Sequence, residues 1–137
     1  MNRFFTARGI RRLAVALAAA GVAGIAPVAA LAYQGYGGTL PTNSGVCVQQ
    51  YANSKVRGEG TATKQGAWFT LRYSGQYPGI GEVVSSSATT TTNGWAAEAR
   101  PEFGNFRGKG YYQVCAVNVN STSTLVNIRI LVDGDFS

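Results

Sequence analysis

Along residues 125–132 the chain alternates with a period of two. Val126, Ile128, Ile130 and Val132 form one row, and Asn127 and Arg129 fall between them. Only an extended strand places every second side chain on one face, so that one row packs against a core while the other meets water. Residues 67–73 repeat the pattern, with Phe69, Leu71 and Tyr73 in one row and Trp68, Thr70 and Arg72 in the other. After residue 32 no segment carries the 3.6-residue spacing of a helix. Such a chain folds by pairing strands.

Further strands are expected at 45–51, 55–64, 82–92 and 95–100. Gly58 and Gly60 suggest a bulge or a close backbone approach in the second of these. Asn93-Gly94 is a hairpin turn signal between the last two. Tyr111, Cys115, Val117 and Val119 make another row, with Asn118 on the opposite side. The polar link 120–124 then joins this strand to 125–132 as an expected C-terminal hairpin. Six or seven short strands and 18 glycines, with turn signals about every ten residues, predict an all-β fold. The expected architecture is a small antiparallel β-sandwich, immunoglobulin-like but without that family's sequence hallmarks. Gln113 stands where the tyrosine two residues before the second cysteine would be, and Trp68 lies too far beyond Cys47.

The first 32 residues read as a leader rather than as part of this fold. Arg3, Arg8, Arg11 and Arg12 give a positive start, an uncharged apolar run follows over 13–25, and Ala30-Leu31-Ala32 offers a small-x-small cleavage site. The apolar run is short of the roughly 20 residues a membrane-spanning helix needs. We expect export, cleavage after Ala32, and no membrane span in the processed protein. General secretory export is favoured over a twin-arginine route, because no serine or threonine immediately precedes Arg11-Arg12. The leader also holds four of the 12 basic residues. The remainder has eight basic and six acidic residues, a net charge of +2 rather than +6. Those eight are scattered singly, without the clustered stripe that follows a phosphate backbone, so nucleic acid is not an expected partner.

Cys47 and Cys115 are the chain's two cysteines. In an exported domain they predict one disulfide, structural in role, with Cys115 beside the core. Closing a loop of this length stabilises by about 4 kcal/mol through loop-closure entropy. The chain has no histidine, which removes Ser-His-Asp and Cys-His catalysis and histidine-bound metal. Glu98 and Glu102 would stand about 13 Å apart on a strand, too far for a glycosidase pair unless the chain bends at Pro101. Asp133-Gly134-Asp135 is a weak fragment of a calcium loop. No catalytic residue, metal or cofactor is expected, and the reading is a non-enzyme.

Two features could carry binding. Residues 33–43 combine three glycines with Tyr33, Tyr36 and Leu40, and suggest a flexible N-terminal arm that docks on another exported protein; an edge strand would explain the tyrosines equally. The aromatic set includes Trp68, with Tyr73 and Trp95 as further candidates for stacking a polysaccharide, although core packing accounts for most of these rings. A third possibility is the loop 76–81, Gln-Tyr-Pro-Gly-Ile-Gly, as a rigid protrusion of the kind inhibitors of extracellular proteases present. The domain boundaries read from sequence are therefore 1–32 leader, 33–43 arm and 44–137 sandwich.

In its alanine-rich leader, its Gly/Ser/Thr-rich β body, its single bridge and its Tyr/Gly segment at 33–43, the chain resembles the small exported adaptor subunit of actinobacterial umbrella toxin particles. That resemblance implies a protein that joins a lectin-bearing subunit to a toxin scaffold and does no chemistry.

Overall fold

The computed structural model describes residues 33–134 and 136; the expected leader and cleavage site lie outside the described residues. Eight strands follow in order: β1 Tyr33–Leu40, β2 Gly45–Ala52, β3 Val56–Ala62, β4 Trp68–Gly75, β5 Glu82–Ser86, β6 Gly94–Ala99, β7 Gly110–Val117 and β8 Thr124–Val132. A single 3₁₀ turn, Pro101–Phe103, interrupts the connection from β6 to β7. The strands form two four-stranded antiparallel sheets, β1-β8-β3-β6 and β2-β7-β4-β5. The fold is the antiparallel β-sandwich that the alternation predicts.

Each sheet turns one row inward. From the first come Val126, Ile128, Ile130 and Val132 of β8 with Val56 and Ala99, and from the second Phe69, Leu71, Tyr112, Val114 and Ala116. The alternation read in 125–132 and 67–73 is the alternation observed. On β3 the inward row includes two residues without side chains. A Cβ on Gly60 would stand 2.5 Å from two ring carbons of Phe69, and one on Gly58 would stand 2.7 Å from a Val114 methyl. The glycines are there for close approach: Phe69 lies over the β3 backbone, stacked on Trp95 of β6 at 5.7 Å between centroids.

Three expectations need correction. β7 and β8 do not form a hairpin, since β7 pairs with β2 and β4 while β8 pairs with β1 and β3. The link 118–123 crosses from one sheet to the other. Likewise Asn93-Gly94 is not a hairpin turn, because β5 pairs with β4 and β6 with β3. A two-residue turn can only join strands that are neighbours in one sheet, and sandwich crossovers break that condition. The rows of β7 are also inverted. Tyr112, Val114 and Ala116 face the interior, while Tyr111, Cys115 and Val117 belong to the outward row.

Asn118, expected on the solvent side, is fully buried at the crossover. Its Nδ2 donates to the carbonyls of Leu40 and Thr122 at 3.0 and 2.9 Å, and its Oδ1 accepts from Asn120 N at 2.8 Å. One side chain thus ties the end of β1 to the link between β7 and β8. Tyr112 is buried among Tyr73 and Phe106, and its hydroxyl accepts from Arg107 N and donates to Gly108 O. Burial pushes that phenol up to about 12.

The outward row of the first sheet carries a string of alternating charge. Arg129 meets Glu59, Glu59 meets Arg57, Arg57 meets Glu98 and Glu98 meets Arg100, all at 2.5–2.7 Å; Arg100 reaches Glu102 at 3.6 Å. Because of these guanidinium contacts Glu59 and Glu98 sit below the usual carboxylate range, against the opposing effect of their burial.

Candidate functional site

The connection from β4 to β5 does not project straight into solvent from the sandwich edge. It folds back over the outward face of the second sheet, where several side chains hold its backbone. Gly81 N donates to Gln113 Oε1 at 3.1 Å and Gly79 N to Gln49 Oε1 at 3.4 Å. Gln113 Nε2 donates to Ser74 Oγ at 2.9 Å, and that hydroxyl donates to the carbonyl of Tyr77 at 2.8 Å. From below, Arg72 donates to the carbonyl of Gly81 at 3.0 Å and to Thr70 Oγ1 at 3.0 Å. Desolvation beneath the loop draws the Arg72 guanidinium below its ordinary pKa.

This covering explains why Gln113, on an outward row, is almost completely buried, and Thr70 lies equally buried against Arg72. A buried carboxamide without partners costs about 1–3 kcal/mol, so the loop and Gln113 need one another. The result is a tethered backbone with free side chains at its tip. Tyr77 is 80% exposed and Ile80 63% exposed, the two most exposed large apolar side chains among the described residues. The outward rows on either side add Tyr51, packed edge-on to Tyr111 at 5.2 Å, and Val83 of β5.

One row away from the carboxamides lies the disulfide. Cys47 and Cys115 are bonded, with Cα atoms 4.1 Å apart, and stand directly opposite one another in the pairing of β2 with β7. The bridge expected from the sequence is present, but Cys115 is not beside the core. It is buried on the outward side, and Cys47 is exposed.

The segment 33–43 is not a flexible arm. Tyr33–Leu40 pairs with β8 over its whole length, from Leu131↔Tyr33 to Thr124↔Leu40. Leu40 is in the core, and Tyr36 is about one-third exposed at the sandwich edge. The three anchors proposed from sequence therefore lie on one edge strand, and hydrogen bonding to β8 takes precedence over the local flexibility of its glycines. Beside β1, an open trough of about 410 Å³ runs over Gly35 and Gly37, lined by Glu59, Thr61, Asn127 and Arg129.

Trp68, Tyr73 and Trp95 are not brought to one surface. Trp95 stacks on Phe69 between the sheets, and Tyr73 packs on Tyr112 with its hydroxyl donating to the Lys109 carbonyl. Trp68 alone belongs to an outward row, and it is partly buried. Asp133 is not placed as a calcium ligand. Its carboxylate accepts from the backbone N–H groups of Asn53, Ser54 and Lys55 at 2.7–3.3 Å, closing the turn between β2 and β3. Those bonds hold it below the usual carboxylate range despite partial burial. Among the described residues no group of three potential ligands could hold a metal, and no helix is long and apolar enough to cross a membrane.

Sequence reasoning singled out the loop but missed what holds it. The available signal was Gln113 itself, a lone carboxamide inside the otherwise apolar run Tyr-Tyr-Gln-Val-Cys-Ala-Val, which needs a partner if that run is buried.

No protein-family model matches the chain, and no curated protein matches it. Among solved structures it is similar to the crystal structure of Aeromonas hydrophila PliG, a periplasmic lysozyme inhibitor of g-type lysozyme. The TM-score is 0.49 at 10% identity, over 74% of this chain and 86% of that one.

Proposed function

We propose that this is an exported, non-catalytic protein-binding domain that inserts the loop 76–81 into a concave surface of another protein. The carrying observation is the contrast within that loop. Its backbone is tied to three strands, while Tyr77 and Ile80 stand almost free in water. Leaving large apolar side chains exposed forgoes roughly 25 cal/mol for each Å² that burial would remove from water. A clamped backbone lowers the ordering cost of association, so the exposed pair is pre-arranged to be covered. A convex, uncharged tip of this kind suits the cleft of an extracellular enzyme, and inhibition of such an enzyme is the finer form of the reading. Export rests on the basic-apolar leader and on the disulfide.

A second reading, an adaptor that joins subunits of an extracellular toxin particle, draws support from a different place. β1 and β2 are edge strands of the two sheets, eight residues each, and contain neither charge nor proline. Edges of that kind are templates for an added strand.

Retention of native polypeptides from growth medium on immobilised wild-type protein tests both. A partner retained by wild type should be lost from a Tyr77→Ser/Ile80→Ser variant, since removing two anchors costs at least about 2 kcal/mol. Equal retention by both proteins refutes the loop reading. Loss only in a Tyr36→Lys variant selects the edge-strand reading instead.

A further inference from the structure

In the pairing of β2 with β7, Cys47 faces Cys115 and the next outward pair is Gln49 facing Gln113. These are the two carboxamides that accept from the loop, Gln49 from Gly79 and Gln113 from Gly81. The two strands are not equivalent. β7 is flanked by β2 and β4, whereas β2 is the edge of its sheet with β7 as its single neighbour. One end of the loop tip therefore hangs from an interior strand and the other from an edge strand.

We infer that the Cys47–Cys115 bridge is a positioning element of the binding loop. Edge strands open locally at a lower free energy than interior ones, because half of their backbone groups have no neighbour to hold them. Opening of β2 would carry Gln49 away from Gly79 and leave Gln113 under Gly81. A covalent tie one row from this clamp suppresses that motion. The sulfurs do not serve the interior, which Val46, Val48, Val114 and Ala116 fill from the opposite rows. Their importance for binding rests on the loop reading above, while the coupling between bridge and loop stands apart from it.

Residue-level amide exchange of the free protein, without any partner, tests the coupling in wild type and in a Cys47→Ser/Cys115→Ser variant. A positioning bridge predicts that Gly79 and the β2 amides lose protection by about tenfold more than Gly81 and the β8 amides do. A bridge that only stabilises the fold as a whole predicts one common loss at all of these sites, and that result overturns the inference. So does unchanged protection at Gly79. The variant also forfeits the loop-closure contribution, so if it does not fold in buffer the comparison is made in a stabilising osmolyte. Failure to fold there as well would show that the bridge is required for the fold, and would likewise overturn the assignment. Selective loss at Gly79 with no partner found would uphold this coupling and count against the proposed function alone.

Discussion

Replacing Gly60 by alanine adds one methyl group, and the structure specifies what it meets. The new Cβ would stand 2.5 Å from both Cδ1 and Cε1 of Phe69. Phe69 is wholly buried and stacked on Trp95 at 5.7 Å, so the ring has little room in which to shift. Overpacking of this sort costs about 1–3 kcal/mol. For a domain of this size the midpoint of thermal unfolding should fall on the order of 10 °C. Gly94, in the neighbouring strand β6, supplies the internal comparison: a Cβ there meets nothing within 4 Å. Gly94→Ala should leave stability unchanged or raise it by about 0.4–1 kcal/mol, since alanine restricts the unfolded chain. Urea unfolding of both variants, with a Phe69→Leu background to remove the ring edge, separates the steric effect from strand propensity. The Gly60→Ala penalty should shrink in that background, because the two positions share one contact. If Gly60→Ala is as stable as Gly94→Ala, the account of β3 as a strand stripped for the Phe69 ring is wrong.

Two further outcomes follow from polar groups at the ends of the sandwich. Asn118→Ala leaves the buried carbonyl of Leu40, and that of Thr122, without this donor and should cost about 2–3 kcal/mol in denaturant unfolding, whereas Asn120→Ala, half-exposed beside it, should cost less. Asp133 has a lowered pKa in the folded chain, so its stabilising contribution is present above the ordinary carboxylate range and is lost as pH falls through the folded value. The stability gap between wild type and Asp133→Asn should therefore be widest near neutrality and close below about pH 4, and a gap that does not change with pH would contradict the carboxylate's role.

Strands with one wet face were legible, and strands covered on both sides were not. In β8 Asn127 and Arg129 separate the inward Val126, Ile128 and Ile130, so period and orientation were both readable. In β7 either row could face inward, because Tyr111, Cys115 and Val117 are as apolar as Tyr112, Val114 and Ala116. That ambiguity has a physical source: the loop 76–81 covers the outward face, so this strand meets little water on either side. Topology was lost for a related reason. Local turn signals record where the chain bends, not which sheet it enters next. The loop was visible as Tyr-Pro-Gly-Ile, but two of its tethers, Gln49 and Gln113, lie 30 and 32 residues from the glycines they hold, beyond the reach of local pattern. For β1 the sequence left arm and edge strand both open, because its glycines argue for freedom locally, and the eight pairings with β8 decide for the strand.

The string of alternating charge on the first sheet bears on how the domain meets other molecules. Three arginines and three glutamates neutralise one another within a single row of contacts, and they include half of the chain's six acidic residues. Beyond a screening length of about 10 Å at 0.1 M salt, that whole face is electrically silent. The loop tip on the opposite sheet carries no charge of its own. That face therefore neither draws nor turns an approaching protein from a distance; the net charge of +2 carried after residue 32 resides elsewhere, with Arg72 beneath the loop. With so small a net charge, association through the proposed loop should run near the unsteered rate of about 10⁵–10⁶ M⁻¹s⁻¹ and depend only modestly on salt. If the loop binds as proposed, selectivity comes from how long the partner stays, not from how fast it arrives.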